Sequence, residues 1–298
     1  MKCLRGAIIF NRYYQDAGQA HMKECLKASF KPYGIELIDQ FPVATTNINQ
    51  LAPQIDFTLF FDKDYQLAHH LETKGIKVFN NSFAICTCDD KRRTYDLIAK
   101  KLPKISLIPT IYAPLKYTSD NTPDNDFLDF VEKSLGYPII IKQNTGSLGG
   151  QVHLIKNRQE LNKTHITLAI TPHQYQKFID TGGTDIRVFL VGGEAVALFT
   201  RCNPNSFISN VAGSSDTTVK LKEGSDTLKS LAKQIAKAIK LDFGAIDFLE
   251  HDNNYYFLEA NTGAYFKSLE SLGINIADRI AEYVCKLLNS EQRTMKVE

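Results

Sequence analysis

Asp247, Glu259 and Asn261 carry the strongest chemical signal in this 298-residue chain. They sit in "FGAIDFLEHDNNYYFLEAN", two β-forming runs that meet at Asp252-Asn253-Asn254 and so predict a hairpin. Strand side chains alternate faces, so Glu259 and Asn261 point the same way. If the turn centres on Asn253, Asp247 and Glu259 are equidistant from it and lie opposite one another. A turn of even length would shift the register by one and send Asp247 to the other face. Two carboxylates across a ladder repel by ~0.2–1 kcal/mol. A hard divalent cation removes that repulsion, and Mg²⁺ is usually held by one or two carboxylates plus substrate phosphates. The alternative is a solvated strand face.

A second signal is "IIIKQNTGSLGGQVHLI". Lys142 ends an almost wholly apolar strand, where an unpaired ammonium is costly. Gly146, Ser147, Gly149 and Gly150 follow, and such a loop lets backbone N–H groups approach an anion closely. It lacks the G-K-[ST] of a Walker A loop and joins strand to strand, so a plain turn is the alternative. A third signal is "GGTDIRVFLVGG". Asp185 and Arg187 share a strand face there, and Arg201 ends the return strand. Surface ion pairing is the ordinary explanation, but arginine is also the usual grip on carboxylate or phosphoryl oxygens.

These residues need elements to position them. Residues 1–88 alternate strand and helix signals: "LRGAIIF", a helix over 17–30, "GIELIDQ", "DFTLFF", a helix over 65–74 and "IKVFN". That alternation predicts a small α/β unit with a mainly parallel sheet. Its first strand is not followed by G-x-G-x-x-G, so it is not read as a dinucleotide site. A helix introduced by Asp89-Asp90 opens a second, α+β unit over 89–176, and a third α+β unit spans 177–298. The hairpin around Gly192-Gly193 belongs to the third unit, as do a long polar loop over 203–218 and helices over 225–240 and 273–289.

Composition limits the function classes. Net charge is +2 and 43% of residues are hydrophobic, so neither nucleic acid nor membrane is expected as the main partner. No signal-peptide core follows "MKCLRGAIIF", and a cytoplasmic location is expected. The six cysteines are scattered. Cys86 and Cys88 form a C-x-C without a second pair nearby, so buried or idle thiols are expected, not metal ligands.

Taken in order, the signals resemble the ATP-grasp superfamily, and most closely the RimK-type carboxylate–amine ligases that add glutamate to a ribosomal protein. "DDKRRTYDLI" is similar to that family's D-K-x-R helix, and "IIIKQNTGSLGGQV" to its lysine and phosphate loop. "YQKFID" resembles its interdomain hinge, and "GAIDFLE...YYFLEAN" its metal hairpin. The resemblance runs from about Asp90 to Val284. It implies ATP bound between the second and third units. Lys91 and Lys142 would lie on the phosphates with Gly146, Ser147 and Gly149, and Lys177, Phe178 and Ile179 at the adenine edge. Asp185 would lie near the ribose. It implies Mg²⁺, with Mn²⁺ as a substitute, on Asp247, Glu259 and Asn261. Arg187, Arg201 and Asn210 are implied at the transferred phosphoryl group or substrate carboxylate.

The implied reaction activates a carboxylate as an acyl phosphate, which an amine displaces to give an amide, ADP and phosphate. The amine would be an amino acid or the tail of a peptide or protein, and a homo-oligomer is allowed for. The chain departs from the family's pattern at Lys177, at Ile208-Ser209-Asn210 and at "NTGAYF". These departures lie where substrates would enter. An ATP-grasp small-molecule kinase and a non-catalytic nucleotide-binding protein are the alternatives. A stable phosphate ester would mark the first, and absence of turnover the second.

Overall fold

A computed structural model describes residues 4–14, 16–40, 49–118, 122–146, 150–209 and 216–294. The first unit is a parallel sheet of β1 (Arg5–Ile9), β2 (Glu36–Gln40), β3 (Phe57–Phe60) and β4 (Lys77–Phe79), in the order β2-β1-β3-β4. Helices α1 (Ala17–Phe30) and α2 (Tyr65–Thr73) begin where Asp16 and Asp64 accept backbone N–H groups of Gln19 and Leu67. Aspartate at such a cap satisfies a donor the helix itself leaves unpaired. The chain leaves β1 toward one edge and β3 toward the other. The loops after these two strands therefore flank a topological switch point, where open α/β sheets bind ligands.

Two helices follow, α3 (Ser82–Asp89) and α4 (Lys91–Lys101). The sequence had suggested one helix here. Asp90 divides them because its extended backbone ends α3 while its carboxylate accepts from the Arg92 and Arg93 N–H groups to start α4. Strand β5 (Ser106–Leu107) then pairs parallel to the far hairpin, and Tyr95, Ile98 and Ile105 pack into the core of the large sheet. Residues 91–107 thus follow the first unit in sequence but contribute to the core of the last.

The second sheet is antiparallel, with β6 (Thr110–Tyr112), β7 (Ile139–Gln143), β8 (Val152–Ile155) and β9 (His173–Lys177) in the order β6-β9-β7-β8. Helices α5 (Asn125–Leu135) and α6 (Arg158–Thr167) cover it, giving a separate apolar core around Leu128, Ile139, Ile141, Leu161 and Tyr175. The large sheet contains β10 (Thr184–Val191), β11 (Glu194–Cys202), β12 (Thr218–Leu221), β13 (Phe243–His251) and β14 (Asn254–Asn261), in the order β12-β11-β10-β13-β14-β5. Helix α7 (Asp226–Ile239) packs on one face. The other face shares one core with the first unit, with the short helix α8 (Lys267–Glu270) and with α9 (Ile276–Thr294). Strand β12 starts at the last residue of the stretch read from sequence as a polar loop, and the sequence reading did not expect it. Its four residues are mostly exposed, so no apolar alternation marks them. Among the described residues, no helix is long and apolar enough to cross a membrane.

Candidate active site

The third-unit hairpin brings Asp247, Glu259 and Asn261 together by a route the sequence did not suggest. Its turn is even, with Asp252 and Asn253 both left-handed at φ 49° and 57°, and His251 pairs with Asn254. From that turn alone, Asp247 would face Leu258. A bulge between Asp247 and Phe248 on one side, with Leu258 as the extra residue on the other, moves the register by one. Asp247 therefore pairs with Glu259. The bulge also turns Phe257 into the opposite core, with Ala260, while Glu259 and Asn261 stay on the site face. The expected pairing holds, and the reason is a bulge, not an odd turn.

Neighbouring strands continue the row. Arg187 of β10 lies across from Asp247 of β13, and Asp185 lies across from Arg201 of β11. Arg187 holds Asp247 in a bidentate fork, Nε to Oδ1 at 2.7 Å and Nη2 to Oδ2 at 2.6 Å. Arg201 donates to Asp247 Oδ2 at 3.0 Å and also grips both oxygens of Asp185. These are not surface pairs: Asp247, Asp185 and Arg201 are 0%, 3% and 4% exposed. Burial pushes the Asp247 carboxyl up, but the two guanidiniums outweigh it and hold the group below the usual carboxylate range. For Asp185 burial wins over Arg201, and its carboxyl is raised. The Asn261 amide donates to Glu259 at 3.1 Å, which leaves its oxygen available to a ligand.

Two cavities meet at this row. The first is a cleft of about 1000 Å³, mouth included, between the second sheet and the large sheet. It takes in Lys91, Lys142, Gly146, Asp185, Arg201 and Glu259, and its far side is Lys177, Phe178 and Ile179. Lys142 is 5% exposed. Burial first, then the nearby Lys91 ammonium, pushes it down to about 8 against the pull of Glu259. No ion pair relieves it among the described residues. Lys91 is lowered by burial as well, and its ammonium donates to the Gly146 carbonyl at 3.0 Å. Ser147, Gly149 and Asn210 lie outside the described residues.

The second cavity opens from the same Glu259 and Arg201 toward the first unit. Arg187, Asn261 and Lys267 line it with Asn11, Tyr14, Asp62 and Lys63 from the loops after β1 and β3. Sequence reasoning named none of the first-unit residues. The signal was available, since "FFDKDY" places Lys63 just beyond the carboxyl end of a parallel strand, where such sheets bind ligands. Asp247, expected as a metal ligand, lines neither cavity and has its oxygens committed to arginine.

The model of the RimK-like ATP-grasp domain matches residues 88–284. The chain belongs to the RimK-like ATP-grasp family. It is 30% identical to an uncharacterised protein of Mycoplasma pneumoniae over 273 residues, which is 88% of this chain and 92% of that one. It is also 30% identical to the coenzyme gamma-F420-2:alpha-L-glutamate ligase of Methanococcus maripaludis over 240 residues, 78% of each chain. Among solved structures, the D-alanine–D-alanine ligase of Bacillus anthracis superposes over 98% of this chain and 99% of its own, with a TM-score of 0.75 and 19% identity. That likeness shows a shared ATP-grasp fold.

Proposed function

We propose that the protein is an ATP- and Mg²⁺-dependent carboxylate–amine ligase. The observation that carries this reading is the junction of two cavities at Glu259 and Arg201, one with a buried lysine and the other with three further cations. A buried ammonium with no ion pair among the described residues suits a phosphate. The Glu259 carboxylate and the Asn261 amide oxygen form a hard, all-oxygen set that suits Mg²⁺, as do the phosphates they would face. Asp247 joins that set only if Arg187 releases it. When bound, the metal supplies charge neutralisation across the phosphate oxygens.

The chain's own residues do the rest by position and charge. Lys91 and Lys142 hold the triphosphate, and the Lys177–Ile179 strand end receives the base. Arg201 touches both cavities, so it can follow charge from the leaving phosphate to the new acyl phosphate. Arg187, Lys63 and Lys267 orient the substrate carboxylate, and Asp62 or Asp89 receives the ammonium of the amine substrate. The acceptor carboxylate attacks the γ-phosphorus and ADP leaves. The ammonium first gives up a proton, the free amine attacks the acyl carbon, phosphate leaves, and the nitrogen loses a second proton, both protons passing to solvent.

The Methanococcus relative's name specifies a glutamate ligase, so glutamate is the first amine to test. Pooled amino acids and small dicarboxylates with Mg-ATP should give ADP and a product heavier by one condensation. Glu259→Gln should lower turnover by ~10²–10³-fold, the usual worth of a lost electrostatic contact at transferred charge. A stable phosphate ester in place of an amide would select the kinase alternative.

A further inference from the structure

The two elements that help to wall the second cavity, α1 and α8, also carry a side-chain cluster that the ligase reading does not use. His21 and Cys25 are four residues apart on α1 and therefore share a helix face. Glu270, the last residue of α8, meets them there. Cys25 Sγ is 3.5 Å from His21 Nε2 and 3.5 Å from Glu270 Oε2, and His21 Nε2 contacts that same carboxylate oxygen. Zinc bonds of about 2.3 Å to sulfur and 2.0–2.1 Å to nitrogen or oxygen give tetrahedral ligand–ligand edges of about 3.5 Å. Both sulfur edges already have this length, and the nitrogen–oxygen contact, now a short hydrogen bond, opens as the ion enters.

The chemistry of the donors points the same way. An imidazole nitrogen, a thiol sulfur and a carboxylate oxygen form a mixed set that favours zinc over magnesium. It is distinct from the all-oxygen donors at Glu259 and Asn261. The His21 and Glu270 side chains are 35% and 18% exposed, which leaves room for water as a fourth ligand.

We propose that His21, Cys25 and Glu270 bind a zinc ion that fastens α1 to α8. The two elements come from opposite ends of the chain. Gly18 and Gln19 at the start of α1, and Lys267, Ser268 and Ser271 around α8, line the second cavity. An ion at this cluster fixes the wall against which the acceptor would sit. Binding replaces the Cys25 thiol proton, which passes to solvent. The site does not depend on the ligase reading.

The test uses the full-length protein, stripped with a chelator and kept in excess Mg²⁺ so that oxygen-only sites are filled. Titration with Co²⁺ should produce a thiolate-to-cobalt charge-transfer band that saturates at one equivalent, and Zn²⁺ should displace it. Cys25→Ser should abolish the band. His21→Ala and Glu270→Gln should weaken zinc binding by at least the ~10-fold that even an outer-shell partner is worth. Zinc should raise the melting temperature of the parent chain and not that of Cys25→Ser, with far-ultraviolet dichroism confirming that each variant is folded. Absence of the band, or a band of equal strength in folded Cys25→Ser, overturns the proposal. So does equal zinc affinity in folded His21→Ala.

Discussion

Lys142 concentrates the chemistry of the first cavity in one group. Burial and Lys91 bring it down to about 8, so the free protein begins to lose this charge in mildly alkaline solution. A bound phosphate stabilises the ammonium, so nucleotide affinity is full below about 8 and falls as pH rises above it. The same shift acts on stability with the opposite sign. The unfolded chain keeps the proton up to the ordinary value of 10.5, so between the two values it binds more protons than the folded chain. Through this group the ligand-free protein therefore gains stability across that window. Calorimetric titration of Mg-ADP from pH 7 to 9.5 should show weakening affinity. Lys142→Met should bind weakly throughout and lose the pH dependence assigned to this residue. Arg187 and Arg201 illustrate what residue types alone cannot reveal. Their spacing marked them as anion grips, but only the packing of three strands shows that two aspartates already occupy their forks.

The metal hairpin is the element on which the site depends, and its register is set by the bulge. Tyr95 of α4 donates to the Phe257 carbonyl at 2.9 Å, next to the extra residue, and accepts from Gln176, which also donates to Thr110. One buried hydroxyl thus ties the bulge to the second sheet. The turn has a lesser role. Asp252 and Asn253 both occupy left-handed backbone that favours Asn-Gly. Replacing the pair by Asn-Gly should raise stability by about 0.5–1 kcal/mol with turnover unchanged. A loss of turnover would mean that the turn sets the register. The hairpins were legible because apolar alternation stops at recognisable turn residues. The bulge was not, because it depends on Tyr95, more than 150 residues away in sequence. The pairing of β5 with β14 was hidden for the same reason, since two residues of strand carry no periodic signal.

At the scale of the molecule, the first and last units share one core, whereas the second sheet has its own. Asn80 joins the first two partners polar group by polar group. Its amide donates to the Phe243 and Thr262 carbonyls and accepts from the Asp242 and Phe243 N–H groups, and it is fully buried. Asn80→Ala leaves these backbone groups short of partners and should cost about 3 kcal/mol or more. The urea midpoint should fall with the m-value unchanged. A negligible shift would show that the two units are not coupled through this residue. Sequence reasoning expected three units and read the order of their motifs, because each local pattern is contiguous. The fused core was out of its reach, since apolar residues do not name their partners.

Hydroxylamine trapping tests the central claim most directly. An activated acyl phosphate reacts with hydroxylamine to give a hydroxamate, whatever the natural amine. With Mg-ATP and the carboxylate substrate, the parent protein should form hydroxamate and ADP in equal amounts, while Glu259→Gln should form neither at a comparable rate. ADP accumulating with a stable phosphate ester and no hydroxamate would contradict carboxylate activation. Undiminished hydroxamate formation by Glu259→Gln would contradict the site.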